Sequence, residues 1–216
     1  MSIATLDVYP EVLERVKHGD KFLDLGCCFG QEIRQLVFDG APSANTYGSD
    51  LWGDFFKVGY ALFKDEDRLQ TTFIAADVFD DASPLIALAG QMNIIFTGAL
   101  FHLFGLEDQE KLAVRIVQLL APRPDSLLVG RNSGSEVAGE FARSGDTSGR
   151  THFRHSPETW AELWKRVGAK TGSQWSVKAD LEFQAPESVL AAPGGLSAEE
   201  QKARSAQLRY TVRRLG

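Results

Sequence analysis

Three aspartates stand where short apolar runs end. Asp24 closes Phe22-Leu23-Asp24, Asp50 closes Thr46-Tyr47-Gly48-Ser49-Asp50, and Asp77 follows Phe73-Ile74-Ala75-Ala76. Asp24 leads into a tight turn bracketed by Gly26 and Gly30, and then into a helical pattern from Gln31 to Phe38. Strand, glycine turn and helix start make a nucleotide-sized cradle, because glycine lets the backbone approach a ligand closely. An acid ending the second strand can accept both hydroxyls of a ribose, which suits Asp50. Asp77 could accept from an adenine amino group, with Val78 or Phe79 over the ring. Each acid also has a plainer reading, a solvated strand end or a helix cap. Three at one edge of a parallel sheet weigh more than any one, since ligands lie beyond the carboxyl ends of the strands.

Other groups share that edge. Asn93 to Gly98 is a further strand-like run, and Thr97 and Gly98 offer polar groups at its end. His102 follows, and histidine titrates in the range useful for general base work; a core or capping histidine is the equal alternative. Leu51 and Trp52 could pack near a base or in the core. His152 and His155 could touch a substrate, although surface histidines are the simpler expectation. Cys27 and Cys28 are adjacent, a poor start for a disulfide or a tetrahedral metal site, so no metal is expected. The turn lacks the third glycine of a dinucleotide fingerprint, and no Gly-Lys-Ser/Thr follows.

The elements that must position these residues are legible from periodicity. Leu6 to Gly19 reads as a helix with Pro10 in its first turn and Val12, Leu13 and Val16 inward. Strands are expected at Phe22 to Asp24, Asn45 to Asp50, Thr71 to Ala76, Met92 to Thr97 and Ser126 to Val129. Helices are expected at Gln31 to Phe38, Trp52 to Phe63 and Leu106 to Leu120, with a short one after the capping Ser83. Gly130 to Arg150 reads as a mobile loop. Ser156-Pro157-Glu158 opens a helix that Gly168 closes. Gln174 to Phe183 and Leu208 to Val212 are late strands joined by a long connection, Ala185 to Glu200, and should pair antiparallel. The expected fold is α/β: a Rossmann-like, seven-stranded, mostly parallel sheet with helices on both faces and an antiparallel last strand. One domain, 1–216, accommodates it.

Composition is ordinary for a globular chain, with 44% hydrophobic and 24% charged residues and a net charge of -6. That charge gives no reason to expect nucleic acid or an anionic membrane as partner. No apolar run reaches the roughly 20 residues that span a bilayer. Free thiols suit a reducing compartment, so a cytoplasmic location is expected.

The pattern Asp24-Leu25-Gly26-x-x-x-Gly30 resembles motif I of class I S-adenosylmethionine-dependent methyltransferases. A more specific likeness runs from about Tyr9 to Asp81. It includes Phe22 to Arg34, Asp39-Gly40-Ala41-Pro42-Ser43, Tyr47 to Leu51 and Phe73 to Asp80, and later Leu100-Phe101-His102-Leu103-Phe104. These stretches look like the fungal small-molecule methyltransferases of meroterpenoid gene clusters. The likeness spans most of the chain and weakens after Gly130.

The resemblance implies S-adenosylmethionine as cofactor and methyl transfer to an oxygen of a small secondary metabolite, methyl ester formation included. Implied cofactor contacts are Asp24, Gly26, Cys27, Gly30, Asp50, Leu51, Asp77, Val78, Thr97 and Gly98, with His102 as candidate base. Phe55, Phe56, Phe101, Phe104 and Phe153 are candidates for an apolar acceptor pocket. Members of that family tend to carry a further N-terminal segment that helps cover the site. This chain begins almost at the first helix, so a less enclosed site is expected. The alternative is a cofactor-binding member without methyl transfer, acting as scaffold or cyclisation helper. A reductase of the NAD type is disfavoured by the Gly-x-x-x-Gly turn and the lack of Tyr-x-x-x-Lys. A homodimer is compatible with the sequence.

Overall fold

The computed structural model describes residues 3–142, 151–183 and 206–216. The strands are β1 (Phe22–Leu25), β2 (Thr46–Asp50), β3 (Thr72–Ala75), β4 (Ile94–Gly98), β5 (Leu127–Gly134), β6 (Gly139–Ala142), β7 (Thr151–Arg154), β8 (Trp175–Phe183) and β9 (Ala206–Arg214). The helices are α1 (Tyr9–Lys17), α2 (Gln31–Phe38), α3 (Asp54–Phe63), α4 (Leu106–Leu119) and α5 (Pro157–Thr171). Seven strands form one sheet in the order β3-β2-β1-β4-β5-β9-β8. The first five run parallel, and β9 lies antiparallel between β5 and β8. Helices cover both faces, as the sequence implied.

Strand alternation builds two cores. Leu23, Ile95 and Leu128 pack with α4 and α5 residues such as Leu112, Ile116 and Trp160. Phe22, Ile94, Phe96, Leu127 and Val129 pack with Val12, Val16, Ile33 and Leu36 of α1 and α2. The helical partners recur at spacings of three and four residues, which puts them on one stripe. At the start of α5, the Ser156 Oγ accepts from the Thr159 N–H at 3.3 Å and the Thr159 Oγ1 accepts from the Ser156 N–H at 3.0 Å, a reciprocal cap.

Two expectations change. The loop expected from Gly130 to Arg150 is largely ordered into strands where it is described. β5 continues through Gly134, paired with β9 along its whole length, and β6 pairs antiparallel with β7. Residues 143–150 lie outside the described residues, as does the Ala185 to Glu200 connection. Helix α5 does not stop at Gly168. It runs to Thr171 and ends at Gly172 in the left-handed conformation, while the buried Gly168 lets the Ser173 carbonyl come close. Among the described residues, no helix is long and apolar enough to cross a membrane.

Candidate functional site

The carboxyl ends of β1 to β4 and the segments leaving them surround a cavity of about 710 Å³. Gly26, Asp50, Asp77 and Gly98, one from each strand exit, all line it. The parallel sheet delivers this convergence, because its strands end on the same side and the strand order reverses between β1 and β4. Leu51 and Val78 line it too. Large apolar side chains stay open around the mouth: Trp52 is 64% exposed, Leu51 57%, Leu103 40% and Phe79 37%. A cluster of that kind on a folded surface marks a place where something binds. Phe79 meets Phe104 edge-on at 5.0 Å between ring centres, which stiffens one wall.

The glycine turn is fastened to β2. The N–H groups of Gly26 and Cys27 both donate to the Ser49 carbonyl, at 2.8 and 3.0 Å. Asp50 completes the stitch: its Oδ2 accepts from the Cys28 N–H at 2.9 Å and its Oδ1 from the Trp52 N–H at 3.2 Å. A carboxylate has about four lone-pair positions, so two remain for a ligand. Gly26 holds φ at 82°, and a Cβ there would press on Leu100 at 3.2 Å. Gly30 has a different reason to be glycine. Its φ is 70°, and a Cβ would lie 3.0 Å from the Phe73 ring and 2.9 Å from Arg34 Nη1. Packing within the protein therefore accounts for Gly30, and it does not line the cavity. Asp77 Oδ1 accepts from the Phe79 N–H at 2.9 Å, which fixes the turn carrying Val78.

Several sequence candidates are not brought to the cavity wall. Asp24 lies inside β1, 2% exposed, and its Oδ2 has no partner among the described residues. Burial, with Glu32 and Asp50 nearby, pushes its carboxyl well above the usual carboxylate range. Cys27 turns into the α1–α2 core, where burial drives its thiol pKa upward and makes it a poor nucleophile. Thr97 is fully buried and its hydroxyl shares a hydrogen bond of 2.6 Å with the Tyr210 hydroxyl. His102 sits on a short 3₁₀ turn, where its Nδ1 accepts a long bond of 3.4 Å from the Ser133 N–H. Its neighbours Leu100, Leu103 and Phe104 line the cavity and it does not.

Of the five phenylalanines expected at an acceptor pocket, Phe55 and Phe104 line the cavity. Phe101 is core, edge-on to Trp160 at 4.9 Å, and Phe56 stacks on Phe73 at 5.0 Å. The histidines expected at the surface are buried. His152 is 6% exposed and His155 3%, the latter between the rings of Phe153 and Trp160. Burial pulls the His155 pKa down to about 4.

Sequence reasoning missed Ala99, Leu100 and Leu103 as lining residues. Ala99 holds a left-handed φ of 58°, which costs about 1–2 kcal/mol for a residue with a Cβ. Its N–H donates to the Arg131 carbonyl at 2.9 Å. A buried network locks the same segment: Asn132 Nδ2 donates to the Tyr210 hydroxyl at 3.0 Å, and Asn132 Oδ1 accepts from the Phe101 N–H at 3.2 Å. Alanine carries no turn signal, and Tyr210 is too distant in sequence for any local pattern to link it.

No protein-family model matches the chain. Over 179 residues it is 44% identical to the O-methyltransferase phiE of a fungal species, a match covering 82% of this chain and 59% of that protein. It is 44% identical over 179 residues to the methyltransferase adrK of Penicillium rubens, covering 82% of this chain and 64% of that one. An S-adenosylmethionine-dependent methyltransferase from Mesorhizobium loti superposes with a TM-score of 0.62 at 19% identity, over 98% of this chain and 99% of its own. The chain is thus similar over most of its length to fungal methyltransferases and shares the fold of S-adenosylmethionine-dependent methyltransferases. The chain spans 59 to 64% of the length of those two curated relatives. Its fold is also shared by the 1,6-didemethyltoxoflavin-N1-methyltransferase of Burkholderia thailandensis, seen with S-adenosylhomocysteine. That match has a TM-score of 0.61 at 16% identity and covers 97% of this chain and 82% of the other.

The cavity suits an adenosyl group in kind. It has no side chain at Gly26 and Gly98, two acids with acceptor capacity, and an apolar rim broad enough to cover a base.

Proposed function

We propose that this chain methylates an oxygen, carboxylate or phenol, of a small apolar secondary metabolite, with a meroterpenoid acid as the acceptor that the family resemblance favours. The observation that carries the reading is the meeting of Gly26, Asp50, Asp77 and Gly98 at one cavity beyond the strand ends. S-adenosylmethionine, when bound, supplies an electrophilic methyl group. Asp50 would take the ribose hydroxyls on its remaining lone pairs, and Asp77 the adenine amino group. Leu51 and Val78 would cover the base. Gly26 and Gly98 would let backbone groups stand close to the sulfur.

The lining favours a carboxylate over a phenol. Among the described residues its titratable side chains are Asp50 and Asp77, and both already accept backbone N–H groups. A carboxylate arrives ionised near neutral pH and needs no base. Phe55, Phe79, Leu103 and Phe104 supply an apolar wall that would hold the acceptor body and shed water from the nucleophile.

The test has two stages. S-adenosylmethionine and S-adenosylhomocysteine should raise the melting temperature and NADH should not. Mass spectrometry of candidate acids incubated with the cofactor should then find products in which one methyl replaces one hydrogen. Cofactor binding with no methylated acid or phenol would favour the scaffold alternative. No binding of either sulfur nucleotide would end the proposal.

A further inference from the structure

Strand β8 leaves a long edge of the sheet open. Its nine residues, Trp175 to Phe183, pair on one side with β9, and among the described residues no strand pairs on the other side. The opposite edge, β3, has only four residues. An unpaired strand carries a row of backbone donors and acceptors, which chains commonly protect with a proline, a bulge or a short length. β8 contains no proline or glycine, and its pairing with β9 is unbroken from Trp175 to Phe183.

Charge is the protection that remains, and its pattern is selective. Trp175, Val177, Ala179 and Leu181 pack half-buried against the core that includes α5, while Ser176, Lys178, Asp180 and Glu182 stand exposed on the other face. Arg209 of β9 meets Asp180 at 3.1 Å and Glu182 at 3.5 Å. Lys178 has no ion-pair partner among the described residues. Suppose a second β8 is laid antiparallel, related by a twofold axis perpendicular to the sheet. Residues opposite one another then share a face. Centred on Lys178 or on Asp180, the pair sets like charges against each other, which destabilises it. Centred on Ala179, it engages all nine residues. Lys178 of each copy then faces Asp180 of the other, and Ser176 faces Glu182. On the apolar face Val177 meets Leu181, and Trp175 meets Phe183, which is otherwise 43% exposed.

We propose that two copies of this chain associate edge to edge through antiparallel pairing of β8 about Ala179, joining their seven-stranded sheets into one. The charges that deter other strands are complementary to their own kind, and this selects a second copy as the occupant. Strands β5 and β9 separate β8 from the strands whose ends form the cavity. The twofold axis sends the two cavities to opposite edges of the joined sheet, so both stay open. The inference is independent of the proposed chemistry.

Sedimentation velocity of the full chain over a range of concentrations tests it. Wild type should pass from one to two chain masses as concentration rises. Lys178→Glu and Asp180→Lys each put like charges opposite one another twice, and each alone should dimerise about ten- to thirtyfold more weakly. An equal mixture of the two variants should regain the wild-type affinity, because each altered charge then faces its opposite in the other chain. Lys178→Glu changes an exposed side chain without an ion pair, so a loss of dimer there reads the pairing and not the fold. A wild type that stays monomeric at every concentration would overturn the proposal. So would a dimer that neither substitution weakens, since its interface would lie elsewhere.

Discussion

Asp24 and Asp50 occupy similar places on neighbouring strands and meet opposite circumstances. Asp24 is buried with one oxygen unpartnered, whereas Asp50 holds two backbone N–H groups at the cavity. Burial first, then Glu32 and Asp50, raises the Asp24 carboxyl above its ordinary value. The folded chain thus keeps a proton that the unfolded chain releases near pH ~4. This contribution to stability is full below that ordinary value and is lost as pH rises through the folded one. Asp24→Asn, uncharged at every pH, should melt higher than wild type at pH 8 and lose less stability between pH 5 and 8. Coincident melting profiles would refute a buried acid. His155 has the reverse sign. Burial, aided by Arg166, lowers its pKa to about 4 while Thr159 opposes the shift. Its contribution is full above about pH 6.5 and is lost as pH falls toward 4, at most on the order of 3 kcal/mol. His155→Gln should flatten that acid limb in melting experiments. Asp50→Ala frees two N–H groups and removes the proposed ribose acceptor. It should cost about 1–3 kcal/mol of stability and weaken S-adenosylhomocysteine binding, where Asn should do less harm on both counts.

Elements with strong periodicity were readable, and those made by distant pairing were not. Helices α2 and α4 match their sequence patterns to within a residue because their apolar stripes are local. The tail of β5, Gly130-Arg131-Asn132-Ser133-Gly134, has the composition of a loop, yet β9 pairs with every residue of it. Strand propensity yields to a partner strand that the local sequence cannot show. The β6–β7 ribbon is of the same kind, and it is tied to the cavity wall. The Phe153 N–H donates to the Phe104 carbonyl at 3.0 Å. The buried Gln109 amide donates to the carbonyls of Phe104 and Phe153 at 2.9 and 2.8 Å. Gln109→Ala should leave those carbonyls without that donor, cost about 1–3 kcal/mol, and raise KM for the acceptor more than it alters S-adenosylhomocysteine affinity. Steady-state kinetics beside calorimetry would show the split, and a change in cofactor affinity alone would count against it.

Across the whole molecule, ligand binding and folding are linked. A ligand at about 100 times its Kd adds about 2.7 kcal/mol, which for a chain of this size lifts the melting temperature by roughly 5–10 °C. S-adenosylhomocysteine should produce that rise in a thermal scan, and NADH at the same concentration should leave the transition where it is. The sequence by itself determined the alternation of strands and helices, the glycine turn after the first strand and the acids in or just beyond the last residues of three strands. These are local properties, set by side-chain period and backbone freedom. Only the tertiary structure decided which of those groups face the cavity. A strand turns alternate residues to opposite faces, so Asp24 goes with Phe22 toward α1 and α2. Thr97 is claimed by Tyr210, 113 residues away, and Arg131 comes to the same edge through its pairing with Gly98. Side-chain direction at a sheet edge depends on the neighbouring strand and the covering helix, and both arrive from elsewhere in the chain.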